Sequence, residues 1–261
     1  MTASGEIVQA RTDGHICRIT LNRPERRNAL SAELVRAFSE AILAADADPD
    51  VFLVMITGAG PAFCAGADMK DASEADREGG NFRGPLHVTG RSICEVLIDS
   101  PKPSLAVING PAVAGGCEVA LACDLRIMSS EAFLQLPEAR RGMGAHYASV
   151  VLPQMVPSAI AMEWLFTGRR ISPDEAVRWG LVNRVAAPDE LEAAAADFAA
   201  EITASAPLSL QRMKLTYRKT AGLPLHAGIR LDTGPNPFTS EDRKEGFRAF
   251  LEKRKPEWKG R

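Results

Sequence analysis

No run of about 18 apolar residues interrupts the 261-residue sequence, which excludes a membrane-spanning helix. The opening stretch MTASGEIVQARTDGH has no apolar core and does not read as a signal peptide. The five cysteines (Cys17, Cys64, Cys94, Cys117 and Cys123) are odd in number, scattered and without a CxxC pair, so no disulfide framework is expected. They read as reduced thiols of a cytoplasmic protein. The four histidines lie far apart, and no Cys/His spacing suits a metal site. Neither GxGxxG nor a Gly-Lys-Ser/Thr loop occurs, which disfavours nucleotide phosphate binding. The net charge of −2 gives no global attraction to nucleic acid or to an anionic membrane. Internal repeats are not legible either.

What is present is ordinary globular composition, with 46% hydrophobic and 25% charged residues, enough for one domain and a modest appendage. Short β-branched runs at His15–Asn22, Val51–Gly58, Ser104–Asn109, Asp124–Ser129 and Ala132–Leu136 read as strands. Ser31–Ala45 reads as a helix capped by Ser31, with Leu34, Phe38, Ile42 and Ala45 on one stripe. A second helix is expected over Pro85–Asp99, after a polar stretch at Asp71–Arg91 whose front half reads as a mobile loop. From about Val150 the strand signals largely stop. Helices are expected at Ser158–Thr167, Ser172–Trp179, Asp189–Ala204, Pro207–Ala221 and Ser240–Lys253, the last with acids first, bases at its end and Pro256 as its stop. The pattern predicts an α/β body over residues 1–200 and a helical part over residues 201–261.

Two small-residue stretches follow strands: Phe63–Lys70 (FCAGADMK) and Asn109–Glu118 (NGPAVAGGCE). Small side chains let an oxygen approach backbone N–H groups, and two such donors at one point form an oxyanion hole. Taken alone, each stretch is equally an ordinary packing turn.

Phe63–Lys70 resembles the FxAGADxK motif of the crotonase (enoyl-CoA hydratase/isomerase) family, and Asn109–Asp124 resembles its NGxAxGGGxELAxxCD motif. Asn22–Leu30 (NRPERRNAL) is similar to its N-terminal motif, Leu165–Asn183 to its TG-x-x-x-x-A-x-x-x-GLV signature, and Phe238–Lys255 to its tail. The resemblance covers nearly the whole chain. It implies a spiral of ββα turns with a helical C-terminal region that makes trimers, often paired into hexamers. It implies oxyanion donors at the amides of Ala67 and Gly115, and catalytic carboxylates at Glu118 and Glu138. It places Arg26, Arg27, Ala65, Asp68, Lys70 and Gly116 along the substrate and coenzyme A groove. No cofactor is implied beyond coenzyme A as part of the substrate.

The chemistry calls for these groups. A proton α to a thioester is too weakly acidic for an unaided carboxylate, so the enolate must be stabilised as it forms. Hydration also needs a carboxylate to activate water, the role expected of Glu118, and an acid to protonate the α-carbon, the role expected of Glu138. Helix-start acids are common for structural reasons too, and sequence does not assign the resting proton. The expected activity is syn addition of water to a 2-enoyl-CoA, a hydro-lyase reaction. An enoyl-CoA isomerase and a CoA-thioester or β-diketone hydrolase are the alternatives, and the basic clusters Arg23–Arg27 and Lys253–Lys255 leave a non-catalytic RNA-binding reading.

After Glu138 the family pattern LLGxxPGAGGTQRL gives way to Ala139–Ser149 (ARRGMGAHYAS), one residue shorter, with His146 and Tyr147 expected to shape the acyl pocket. Leu225–Pro237 lacks the Lys and Phe that some hydratases use around coenzyme A. Trp164, Trp179 and Cys117 read as core.

Overall fold

The computed structural model describes residues 6–68 and 91–261. Lys70, the loop expected at Asp71–Arg91 (save Arg91 itself) and the start of the helix expected from Pro85 lie outside the described residues.

A six-stranded sheet forms the centre. Its strands are β1 (Val8–Asp13), β2 (Ile16–Leu21), β3 (Leu53–Gly58), β4 (Ser104–Ile108), β6 (Leu125–Ser129) and β9 (Arg184–Ala186), in the spatial order β1-β2-β3-β4-β6-β9. Only β1 and β2 pair antiparallel, and every later neighbour is parallel. A smaller sheet joins β5 (Ala112–Val113), β7 (Leu134–Gln135) and β8 (Arg170–Ile171).

Parallel strands covered on both faces need apolar residues at every position, and β3 and β4 are buried throughout. Val54, Ile56, Ala106, Ile108 and Met128 point into the main core with α1 (Ala32–Ala47), α2 (Ile93–Asp99) and α3 (Gly115–Ala122). Their alternates Leu53, Met55, Leu105, Val107 and Ile127 pack under α7 (Leu191–Thr203) through Leu191, Ala195, Phe198 and Ala199. Ser31 caps α1 by accepting the Leu34 amide, as expected, and Ser92 and Glu95 close a capping box on α2.

Four further helices complete the body and the C-terminal part as far as residue 220: α4 (His146–Met155), α5 (Ser158–Thr167), α6 (Pro173–Arg178) and α8 (Pro207–Thr220). They are followed by α9 (Leu225–Arg230) and α10 (Glu241–Glu252). Strand formation does not stop at Val150: β8 and the edge strand β9 come later, both too short to show a period. The last helix ends by Lys253 turning left-handed at φ 53°, three residues before Pro256, and its last turn holds no basic residue. Trp164 and Cys117 are buried, as expected.

The C-terminal helices are tied down by charge. Lys214 of α8 is buried, its Nζ 2.8 Å from Asp124 and 2.8 Å from the carbonyl of Lys102, and Arg218 also pairs with Asp124. Asp124 in turn accepts from both the amide and the hydroxyl of Ser104 at the start of β4. The aspartate that ends the second motif is therefore an anchor for α8.

Candidate active site

The site grows out of two chain strips zipped to a common neighbour. Pro24–Arg26 forms a 3-10 turn, after which Arg27 and Asn28 take positive φ. The fully buried Asn28 side chain donates to the carbonyls of Ala59, Ala62 and Phe63 and accepts the Arg23 amide. That holds the N-terminal motif against the strip that follows β3. Ala65 N then donates to Arg27 O at 2.9 Å, Leu30 N to Gly66 O at 2.8 Å, and Asp68 N to Leu30 O at 3.2 Å.

On its other side the same strip meets the turn after β4. Cys64 N donates to Pro111 O, and Val113 N donates back to Cys64 O at 2.9 Å. The contact admits no side chains at two places. A Cβ on Gly116 would lie 2.3 Å from Cys64 O, and one on Gly66, at φ +87°, would lie 2.7 Å from Val113 O and 3.3 Å from Gly115 N. Residues 66–67 and the amide of Gly115 at the head of α3 are thereby brought together. Neither the Ala67 nor the Gly115 amide has a hydrogen-bond acceptor among the described residues. Helix N-termini leave such donors unpaired and add a favourable dipole. Ala114 makes the turn into α3 at φ 51°, ψ −126°, a glycine-type conformation where the family motif carries Gly.

Both expected carboxylates converge here. Glu118, in the first turn of α3, is 2% exposed, and its Oε1 accepts the Ala148 amide at 2.8 Å. Burial pushes its carboxyl up to about 7, against the pull of the Ala148 and Tyr147 amides and with the help of the nearby Glu138 charge. Glu138, at the head of a 3-10 turn over Glu138–Arg141, is also buried and raised by that burial, and its Oε2 has no hydrogen-bond partner among the described residues. Two carboxyl groups in one desolvated place resist simultaneous ionisation, so near neutral pH the pair retains a proton. One carboxylate to activate water and one carboxylic acid to deliver a proton is the state that hydration requires.

The other expected residues fall into place unevenly. Arg26 and Arg27 are exposed beside the half-buried Ala65. Asp68 is buried and paired with Arg23 Nη2 at 3.3 Å, and Gly116 is buried against Cys64; both build the strip. His146 is exposed at the start of α4, on the side of Glu95 of α2. Tyr147 lies against the core with its hydroxyl buried, under the influence of Cys94 and Arg218. The segment Ala139–Ser149, which departs from the family pattern, leaves the 3-10 turn and ends in the first four residues of a ten-residue helix that contains Pro153 and whose first amides hold Glu118. Those amides, and the role of Asn28, were not singled out from sequence. Among the described residues, no group of three or more His, Cys, Asp or Glu is arranged to hold a metal ion.

Two buried glutamates and two amides without acceptors among the described residues, on a parallel sheet wound with helices, match what the crotonase motifs led one to expect. The enoyl-CoA hydratase/isomerase family model matches residues 11–261, and the chain belongs to that family. It is 40% identical over 257 residues to carnitinyl-CoA dehydratase of Salmonella typhi, covering 95% of this chain and 97% of that one. It superposes on an enoyl-CoA hydratase from Mycobacterium tuberculosis H37Rv with a TM-score of 0.87 at 33% identity, covering 98% of this chain and 99% of that one. An enoyl-CoA hydratase from Bacillus anthracis gives 0.87 at 31% identity, with 98% and 100% covered. The ββα spiral expected from the motifs is the fold observed.

Proposed function

We propose that this chain catalyses the reversible hydration of a 2-enoyl-CoA thioester. The observation that carries the reading is the pair of buried, raised glutamates, Glu118 and Glu138, in a fold that also leaves the amides of Ala67 and Gly115 without acceptors among the described residues. The thioester oxygen takes those two amides and gains strength from them as it becomes an enolate. Glu118, held by the first amides of α4, takes the proton of the attacking water. Glu138, whose Oε2 has no hydrogen-bond partner among the described residues, delivers a proton to the α-carbon. An isomerase needs one carboxylate and no water, and a hydrolase needs no acid at the α-carbon; two poised carboxyls favour hydration over both. Coenzyme A is placed along Arg26, Arg27, Ala65 and Lys70, and it is the only cofactor-like group the reading needs.

Dehydration of a 3-hydroxyacyl-CoA is the same path run backwards, so the likeness to carnitinyl-CoA dehydratase supports the same machinery. The test is to follow the ultraviolet absorbance of crotonyl-CoA with purified protein. Loss of the conjugated band with formation of 3-hydroxybutyryl-CoA is the expected result. A shifted double bond or free coenzyme A as the product would replace hydration with isomerisation or hydrolysis.

The working unit is proposed to be a trimer or a pair of trimers built on residues 201–261. An apolar groove of about 980 Å³ runs between α8 and α10, lined by Met213, Tyr217, Phe238, Phe247 and Phe250. Phe250 is 81% exposed and Phe238 71% exposed in the single chain, a cost that a second copy removes. Light scattering is expected to return three or six times 28.0 kDa. The cytoplasm is the proposed compartment: all five cysteines are free and buried, and no helix among the described residues is long and apolar enough to cross a membrane.

A further inference from the structure

Glu138 and Arg141 are the first and last residues of one 3-10 turn. Side chains three apart in a 3-10 helix tend to the same side of the turn, which sets Arg141 close to Glu138 in the fold. Its charge acts on Glu138, opposing the effect of burial. The preceding Arg140 is occupied, its Nε 2.5 Å from the Thr167 carbonyl. Arg141 is exposed, and its side chain has no ion-pair or hydrogen-bond partner among the described residues. By the glycine that follows them, Arg140 and Arg141 stand where the family pattern has two leucines. An unpaired guanidinium has thus replaced an apolar side chain next to the acid of the reaction.

We infer that Arg141 binds a carboxylate at the far end of the acyl chain, so that this site takes CoA thioesters of dicarboxylic 2-enoic acids. The inference rests on the hydratase reading above and narrows its substrate class. A carboxylate entering beside Glu118 and Glu138 adds a third negative charge to a desolvated place, and an ionised arginine is what makes that tolerable. The guanidinium fork matches a carboxylate with two parallel hydrogen bonds. Coenzyme A phosphates are the other anionic oxygens on the substrate, and Arg26 and Arg27, both exposed, are the cations proposed above for that part of it. In the reaction the distal carboxylate is a spectator. The water oxygen bonds to C3, its proton passes to Glu118, a proton from Glu138 reaches C2, and nothing is oxidised or reduced.

The experiment compares kcat/KM for glutaconyl-CoA and crotonyl-CoA in the wild-type protein, in Arg141→Leu and in Arg141→Lys. The wild-type ratio should favour glutaconyl-CoA, and Arg141→Leu should lower that ratio by about ten- to hundredfold, the range a charge-assisted hydrogen bond supports. Arg141→Lys should restore part of it. A ratio that Arg141→Leu leaves unchanged, with both substrates weakened alike, would assign Arg141 to a coenzyme A phosphate and overturn the inference. A wild-type preference for crotonyl-CoA would also overturn it. If neither substrate turns over, the hydratase reading fails by itself, and calorimetric titration with glutaryl-CoA and butyryl-CoA decides the inference separately. Tighter glutaryl-CoA binding that Arg141→Leu abolishes upholds it; equal affinities for the two thioesters sink it.

Discussion

Glu118→Gln is expected to cut crotonyl-CoA hydration by about 10²–10⁴-fold, the usual worth of a general acid or base, and at the same time to make the protein more stable at pH 8. The two effects have one origin. Gln keeps the carbonyl oxygen that accepts the Ala148 amide but never carries a charge. The wild-type carboxyl is raised by burial from 4.5 to about 7. A group raised on folding stabilises the native state fully below its unfolded pKa and loses that contribution as pH rises through its folded pKa. At pH 4 both states hold the proton and Gln gains nothing. Between 4.5 and about 7 the unfolded wild type ionises while the folded one does not, so its stability falls relative to the variant. Above that window the difference levels at roughly 3 kcal/mol, taking 1.36 kcal/mol per pKa unit over the shift. Melting temperatures of both proteins across pH 4–9, beside their rates, check the pair of outcomes. A variant that is inactive yet shows no pH-dependent gain in stability would mean that Glu118 is not a desolvated carboxyl. Glu138→Gln should lose activity similarly, and by removing a neighbouring negative charge it should move the wild-type stability window to lower pH.

Gly116→Ala is expected to damage both the fold and the site by adding a single carbon. Its Cβ would sit 2.3 Å from the Cys64 carbonyl oxygen and 2.8 Å from the carbonyl carbon. These are backbone atoms fixed by the Cys64–Pro111 and Val113–Cys64 hydrogen bonds, so no rotamer change relieves the clash. The strip bearing Ala67 must move away from α3, which parts the two oxyanion donors. Overpacking of this kind costs about 1–3 kcal/mol, and loss of one donor costs about 10²–10³-fold in kcat. Gly144→Ala is the control, because a Cβ there meets nothing within 4 Å and the residue is not in a left-handed conformation. Its stability should stay within about 0.5 kcal/mol of wild type. If Gly116→Ala retains full kcat, the amides of Ala67 and Gly115 do not act together.

The features legible in the sequence are those written in side-chain period. β3 and β4 were visible because a parallel sheet buried on both faces demands unbroken apolar runs. The helix at Ser158–Thr167 was read to the residue, and α1 from its serine cap and apolar stripe. β1 escaped because five of its six positions are not fully buried, and β9 because three residues carry no period. α4 was hidden by the glycines before it and by Pro153, which argue against a helix that the core contacts of Ala148 and Leu152 nevertheless stabilise. The site divides in the same way. Glu118 and Glu138 have letters of their own, and the motifs found them. The groups that place Glu118 are main-chain N–H donors on residues whose identities say nothing of the task. Gly116 and Asp68, expected beside the substrate, have structural work as well: Gly116 lets the two strips close on each other, and Asp68 pairs with Arg23.

The two amides proposed as oxyanion donors belong to peptide bonds, and no codon change can delete a peptide N–H short of proline. Point mutation can therefore exchange the acid, the base or the residue that greets the acyl tail, while the stabiliser of the enolate passes through every exchange intact. A lineage built on such a site can wander among reactions that share an enolate without ever losing the step that makes them possible. In this chain the place where wandering is most open is the turn from Glu138 to Arg141, which is pinned at Glu138 by burial and exposed at Arg141.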